Sequence, residues 1–373
     1  MRKISVLAGI IFGFAVQNLL AQSPKGIVQE QVIELKGTIA HQPVLVELTG
    51  HSDGLIGRYK YLKVGKIIPV EGVVDLHQSN KYLLKEGKQE NDAARPTWRI
   101  VYQNDSITGK WSDADQKKTY PIRLGENKPE GTLIDFKKIE KDTVAYSQPE
   151  DTTAPSFEYS NRLLFPKEVT KYSWLRDLLR KNNGIKSHQS IEDYLGNDRK
   201  RMVEEYQQAV AETQYPEYES WNWDYDNSQF ISYNDHDFLT LYTSGYGYTG
   251  GAHGRAWAIY DNYDLKNKRE VQLSDIVAID STEISKLLET SFRQDQGVKP
   301  NQSLKAFGLF ENVIEPNNNF YFDNWGLTFV YNQYEIGPYV MGIIEVFIPW
   351  EELEPYLKID FLERIGLVKV GNH

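Results

Sequence analysis

Apolar and polar residues alternate in eight short runs over the first third of the chain. They span residues 32–35, 43–48, 55–62, 66–74, 81–84, 98–102, 107–111 and 120–124. An alternation of period two predicts half-buried strands. Tight turns are expected at Asn104-Asp105 and at Thr108-Gly109, so the pattern predicts an all-β meander that curls or closes into a barrel. Pro43, Pro69 and Pro121 belong at strand starts, edges or bulges, where a missing N–H is tolerated. Residues 125–155 lose the alternation and gain Gly125, Pro129, Gly131, Pro149 and Pro155, which reads as a linker. The expected division is therefore an N-terminal β domain with its linker over 23–150 and a second domain over 151–373.

The period then changes. Tyr172, Leu175 and Leu179 recur at helical spacing, with Trp174 and Leu178 alongside, before the break at Asn182-Asn183-Gly184. Ser190 is placed to cap a longer helix with Ile191, Tyr194, Leu195, Met202, Tyr206, Ala209 and Val210 on one face. Asp280-x-x-Glu283 opens a third, with Ile284, Leu287, Leu288 and Phe292 in a stripe. Strands follow at 221–225, 238–243, 256–263, 270–273, 319–322, 327–331 and 339–347, and Pro349 starts a short helix. Helices followed by runs of strands predict an α+β domain whose antiparallel sheet packs on a few helices.

Charge and composition change the picture at three points. Arg2 and Lys3 precede an apolar run over 4–16, and Leu19-Leu20-Ala21 offers a cleavage site, so residues 1–22 read as a signal peptide. The run is shorter than a bilayer-spanning helix requires. The expectation is a periplasmic or secreted protein with no membrane span after cleavage. Zero cysteines in the 373 residues exclude disulfides, thiolate metal sites and a cysteine nucleophile. Without Arg2 and Lys3 the chain holds 40 basic and 52 acidic residues, a net charge near −12. That field repels nucleic acid and favours a basic partner, or serves solubility alone.

Motifs of known chemistry are few. The glycine-rich stretch 244–254 lacks the Gly-Lys-Ser/Thr ending of a phosphate loop and precedes a strand. Its glycines suit positive φ or close backbone approach, with a ligand loop as the other reading. Seven histidines include no i, i+4 pair; only His236, between Asp235 and Asp237, resembles a metal site, and a charged turn explains it equally. No Gly-x-Ser-x-Gly element occurs. Carboxylate pairs cannot be identified by counting 52 acids. Trp221, Trp223 and Tyr225 alternate with acids and either fill a core or form a recognition surface for sugar or a basic protein. No cofactor or metal site is expected.

The run 246–254, then Asp264-Leu265-Lys266-Asn267-Lys268 and Leu273-Ser274-Asp275-Ile276, and above all the long motif from Asn319 to Tyr339 continuing to Pro349, resemble one known domain pair. It is the extracellular pair of the RsiV anti-sigma factors, also found in the N-terminal, non-catalytic part of PdaC-type deacetylases. The resemblance covers roughly residues 155–357 and leaves the N-terminal β domain unmatched. It implies binding without catalysis, directed at a basic wall-lytic enzyme such as lysozyme or at a cell-wall glycan. The candidate binding surface is Tyr248, His253, Tyr334, Glu335 and Tyr339, on two loops expected to share one surface. The alternatives are a carbohydrate-active hydrolase using a carboxylate pair, and a structural envelope protein.

Overall fold

The computed structural model describes residues 27, 31–51, 53–87, 94–148, 150–213 and 221–369. The signal peptide expected over 1–22 lies outside them. The chain divides into two compact units. One comprises residues through Gln42 with Val46–Tyr59 and Ile68–Glu126, and the other Pro43–Leu45, Lys60–Ile67 and the chain from Asn127 onward.

The first unit is a closed antiparallel barrel of β1 (Val32–Ile39), β2 (Gln42–His51), β3 (Gly54–Tyr61), β4 (Ile68–Asp75), β5 (Gln78–Glu86), β6 (Thr97–Gln103), β7 (Ser106–Ser112) and β8 (Thr119–Glu126). Closure comes from β1 pairing with β8, Leu35 opposite Glu126 through Ile39 opposite Ile122. Alternate residues point inward: Leu35, Ile39, Leu84, Trp98, Ile100, Ile107, Ile122 and Leu124 are all buried. Each fully buried large side chain of this kind contributes roughly 1.5–3 kcal/mol. Trp98 meets Tyr59 edge to face at 4.9 Å. Their polar atoms are satisfied together, because Glu86 Oε1 accepts hydrogen bonds from Tyr59 Oη at 2.7 Å, Trp98 Nε1 at 2.8 Å and Trp111 Nε1 at 2.7 Å.

The second unit is built on a six-stranded sheet of β9 (Phe136–Tyr146), β10 (Ser156–Pro166), β11 (Trp223–Asp235), β12 (Phe238–Tyr248), β13 (Arg255–Asp264) and β14 (Arg269–Glu270), in the order β14-β13-β12-β11-β10-β9. Helices α1 (Ser173–Asn182) and α2 (Ile191–Ala211) connect β10 to β11. That crossover makes β10 and β11 a parallel pair, Phe157 beside Trp223, within an otherwise antiparallel sheet. Helices α3 (Leu273–Ile276), α4 (Ser281–Gln296) and α5 (Leu304–Phe307) follow. A three-stranded antiparallel sheet then forms from β15 (Phe320–Phe322), β16 (Gly326–Tyr331) and β17 (Ile344–Pro349), with α6 (Trp350–Leu353) and α7 (Ile359–Arg364) closing the chain. Barrel followed by sheet and helices is the α+β architecture that the pattern implies.

The caps behave as their residue types dictate. Ser190 Oγ accepts from Asp193 N at 2.9 Å, and Asp280 Oδ1 from Thr282 N and Glu283 N. Helices α1 and α2 cover one face of the large sheet through Phe157, Tyr159, Leu163, Phe165, Leu175, Leu179, Leu195 and Tyr206. A second core joins α4 and α7 to the smaller sheet through Leu288, Phe292, Phe322, Phe329, Trp350 and Phe361.

Several segments differ from the sequence reading: Thr108-Gly109, expected as a turn, lies inside β7, and the strand expected over 270–273 stops at Glu270 because Gln272 caps α3. The 125–155 stretch read as a linker holds the strand β9, which pairs with β10 over eleven residues, Ser156 opposite Tyr146 through Pro166 opposite Phe136. Lys137, Lys138 and Lys141 gave it a linker's polarity; lysines are what a sheet edge carries to block further pairing. Strand β10 went unread although Phe157, Tyr159, Asn161, Leu163 and Phe165 alternate, all buried, with partly or fully exposed neighbours. The strand expected over 339–347 begins only at Ile344, because Pro338 caps a 3-10 turn at Tyr339–Met341 and Gly342 reverses the chain at φ 68°.

Candidate functional site

Two loops of the second unit meet at the far end of the β12–β13 hairpin. Gly250 and Gly251 both turn at φ 93°, a region open to glycine alone at low cost. Gly245 and Gly254 serve close approach instead. A Cβ on Gly245 would lie 1.9 Å from Cε2 of Trp257, and one on Gly254 would lie 2.3 Å from the Tyr246 hydroxyl. The glycine stretch therefore seats two aromatic rings and carries His253 to the tip.

There His253 stacks on Tyr339, centroids 3.8 Å apart at 22°, and lies beside Tyr334 at 6.5 Å. Its Nδ1 is 3.0 Å from the Gly254 carbonyl oxygen, and its Nε2 is 3.4 Å from the Tyr334 hydroxyl. Tyr334 takes a left-handed backbone, φ 69°, which an aromatic residue adopts only under local constraint, and stands 54% exposed. Val340 next to Tyr339 is 87% exposed. Glu335 is exposed at the edge, its carboxylate 3.4 Å from Asn317 Nδ2 and 3.5 Å from Asn332 Nδ2. Of the five residues singled out in the sequence, His253, Tyr334 and Tyr339 form one cluster with Glu335 beside it. Tyr248 stands apart at the end of β12, its hydroxyl donating to the Gly251 carbonyl at 3.0 Å.

What holds the second loop in place is a row of side-chain amides that sequence reading did not identify. Strand β13 pairs with β12 on one side, and beyond the short β14 its other edge is open. Gln333 Oε1 accepts from Ala256 N at 2.9 Å, Asn332 Oδ1 from Ala258 N at 2.7 Å and Asn319 Oδ1 from Tyr260 N at 2.9 Å. Asn319 and Asn332 also donate to the Ala258 carbonyl at 2.8 and 3.1 Å. Backbone groups of a sheet edge need partners, and three side chains substitute here for a strand.

The face of the large sheet opposite α1 and α2 is open to solvent at its Tyr246–Tyr248 end, whereas Tyr233 and Phe238 farther along the same face are buried in the second core. Its cross-strand rows run Val144–Glu158–Asp224–Tyr248 and Asp142–Ser160–Asp226–Tyr246. Glu158, Asp224 and Asp142 are exposed. Burial, and then the charges of Glu158 and Asp226, push the Asp224 carboxyl above the usual range. On the opposite, helix-facing side Trp223 packs on Tyr206 at 5.4 Å and Tyr225 stacks on Tyr159 at 5.5 Å. The aromatic–acidic stretch thus divides, rings to the core and carboxylates outward. Because the Tyr246 phenol lies against Gly254, the acidic rows continue into the His253 cluster.

A second polar site was not legible in the sequence. Asn182, the last residue of α1, points its Nδ2 at Asp261 Oδ1 (3.4 Å), Tyr263 Oη (3.2 Å) and Glu270 Oε1 (3.1 Å). Asn182, Asp261 and Glu270 line a concavity of about 400 Å³ with Asn262, Gln272 and Asn318. Burial, reinforced by the Glu270 charge, raises the Asp261 carboxyl to about 6. His236, in contrast, sits with Asp237 in the two-residue turn between β11 and β12, at φ 53° and 61°. Asp235 Oδ1 accepts from Glu130 N at 2.5 Å and Asp237 Oδ1 from Thr132 N at 2.7 Å, so these carboxylates tie down the 130–132 segment. Among the described residues no three His, Asp or Glu side chains group to hold a metal ion.

Residues 178–256 match the family model described as deacetylase PdaC, and residues 274–351 match the protein family of unknown function DUF3298. No curated protein matches the chain. A crystal structure of a DUF3298 family member from Bacteroides fragilis is similar at 25% identity and TM-score 0.55, over 64% of this chain and 99% of that one. A DUF3298 family protein from Pseudomonas aeruginosa is 16% identical with TM-score 0.46, over 62% of this chain and 97% of that one. The two model matches and the Bacteroides structure together support an RsiV- and PdaC-like domain family for the second unit.

Proposed function

We propose that the chain is an exported, non-catalytic recognition protein whose second unit binds a basic wall-lytic enzyme of the lysozyme kind. The observation that carries this reading is the continuity of one surface: the carboxylates Glu158, Asp224 and Asp226, then Tyr246 and Tyr248, then the His253–Tyr339–Tyr334 cluster. Exposed rings backed by a fixed scaffold are what interface anchors consist of. Among the described residues these carboxylates have no ion-pair partner, and like-charge repulsion there is relieved by an arriving lysine or arginine. Export follows from Arg2, Lys3 and the apolar run behind them.

The test is binding of the full chain to hen lysozyme at low and high salt. Affinity falls as salt rises. Asp224→Lys acts mainly on the association rate and Tyr339→Ala mainly on dissociation. Failure of a correctly folded chain to bind at low salt sinks the proposal. One observation favours a second reading, a carbohydrate-active hydrolase: burial and then the charge of Glu270 raise the Asp261 carboxyl, and both side chains line a cleft. Release of reducing ends from cell-wall glycan, abolished by Asp261→Asn, is what that reading requires.

A further inference from the structure

The acidic charge of the chain is unevenly placed. Residues 27–126 carry 14 lysines and arginines against 13 acids, whereas residues 127–373 carry 25 against 39. Within the barrel the cations gather on the outer face of β5 to β8. Tyr82, Leu84, Trp98, Ile100, Ile107 and Ile122 take the inward positions. Lys81, Lys85, Arg99, Lys110 and Arg123 therefore point outward, and all five are exposed. None of them has an ion-pair partner among the described residues. The register places Arg99 directly opposite Lys110, and like charges facing across a sheet cost stability. The pairing gives the fold nothing, so it points to an anion supplied from outside.

The surroundings of that face select the kind of anion. Lys81 and Arg99 border a depression of about 600 Å³ walled by Val73, Leu76, Leu83 and Val101. Leu76, at the tip of the β4–β5 turn, is 94% exposed, and Val73 is 55% exposed. Asp75, the carboxylate in the depression, already accepts from His77 N at 2.8 Å and Gln78 N at 3.1 Å. We propose that this barrel face docks on an anionic lipid surface. Leu76 and Val73 enter the boundary between headgroups and acyl chains, and Lys81, Arg99, Lys110 and Arg123 meet the lipid phosphates. A soluble polyanion uses the same cations but leaves Leu76 and Val73 in water, which is why a bilayer fits better. The docking is peripheral, since the cations and the exposed Leu76 and Val73 lie on one outer face of a barrel whose interior is filled by apolar side chains. It uses none of the residues proposed to bind a basic enzyme.

The experiment is co-sedimentation of the full chain with phosphatidylcholine vesicles, with and without phosphatidylglycerol, at low and high salt. Binding is expected only with phosphatidylglycerol and is lost as salt rises. Arg99→Gln with Lys110→Gln weakens it by roughly thirtyfold, about fivefold per charge. Removing the like-charge pair leaves the melting temperature unchanged or higher, so loss of binding cannot be assigned to unfolding. Leu76→Ser, at an exposed turn, weakens vesicle binding several-fold and leaves binding to heparin or inorganic phosphate untouched. The proposal is overturned if phosphatidylglycerol vesicles fail to bind at low salt, or if the charge variants bind as the parent does. Heparin capture with vesicle binding indifferent to Leu76→Ser also overturns it, and makes the face a polyanion site.

Discussion

Replacing Asp261 with Asn gives a test of the polar cleft that does not depend on knowing the ligand. Burial and the Glu270 charge raise the Asp261 carboxyl to about 6 in the folded chain. In the unfolded chain it titrates as an ordinary aspartate near 4. A raised folded value means that the native state holds the proton more tightly, so stability rises as pH falls through 6 and levels off below about 4. Above pH 6 the ionised group is a liability. Roughly two pH units at about 1.4 kcal/mol each set an upper bound near 3 kcal/mol. Solvent reaching this half-buried side chain reduces it, and 1–3 kcal/mol is the working range.

Asparagine keeps the shape and the oxygen that faces Asn182 but cannot ionise. Asp261→Asn is therefore expected to stabilise the second unit at pH 8 by about 1–3 kcal/mol and by only about a third as much at pH 4.5. In a unit of this size 1 kcal/mol moves the melting temperature by about 2–4 °C. Urea and thermal unfolding of parent and variant, measured at both pH values by tryptophan fluorescence, supply the numbers. A variant less stable than the parent at pH 8, or one that keeps the parent's full dependence between pH 4.5 and 8, would falsify the electrostatic account. It would mean that Asp261 is held ionised by a partner absent from this geometry.

Three further outcomes follow from the packing. Gly245→Ala forces a methyl into the Trp257 indole, 1.9 Å from Cε2, and should lower stability by about 1–3 kcal/mol in a thermal melt; an unchanged melt means that the ring does not lie there. Asn332→Ala removes the acceptor for Ala258 N and the donor to its carbonyl, costing about 1–3 kcal/mol. Near-edge amide protons of β13 should exchange faster in that variant, and identical exchange would discount the clamp. Chelator treatment should leave the thermal transition in place, because Asp235 and Asp237 are engaged with backbone N–H groups; a drop reversed by zinc or calcium refutes that assignment.

Much of the fold was legible because it depends on local periodicity. The eight alternating runs are the eight barrel strands, and Ser190 and Asp280 cap the helices that their positions announced. The misreadings of β9 and of the crossover share one cause, that a strand's neighbours are not written in its own sequence. Strand β9 is half-polar because it is an edge. With β10 missed as well, nothing revealed that α1 and α2 form a crossover and set β10 parallel to β11. The meeting of His253 with Tyr339 could be anticipated from two glycine- and aromatic-rich loops. The Asp261–Glu270 pair could not, since it depends on the register that sets Tyr263 opposite Glu270 and on where α1 ends.

The residues that make the sequence recognisable are mostly those that the fold consumes. Asn319, Asn332 and Gln333 bond the β13 backbone, and Gly254 makes room for Tyr246. Each has a structural duty that any chain of this architecture must meet, whatever it binds. Similarity across such positions therefore argues for the scaffold, and function has to be argued from the side chains left over. Those are Tyr334, strained and exposed, Val340 in open water, the exposed carboxylates Glu158 and Asp224, and on the barrel the opposed Arg99 and Lys110. None of these improves the fold that carries it. A side chain that costs stability, or leaves apolar surface in water, is the kind that binding explains and packing does not.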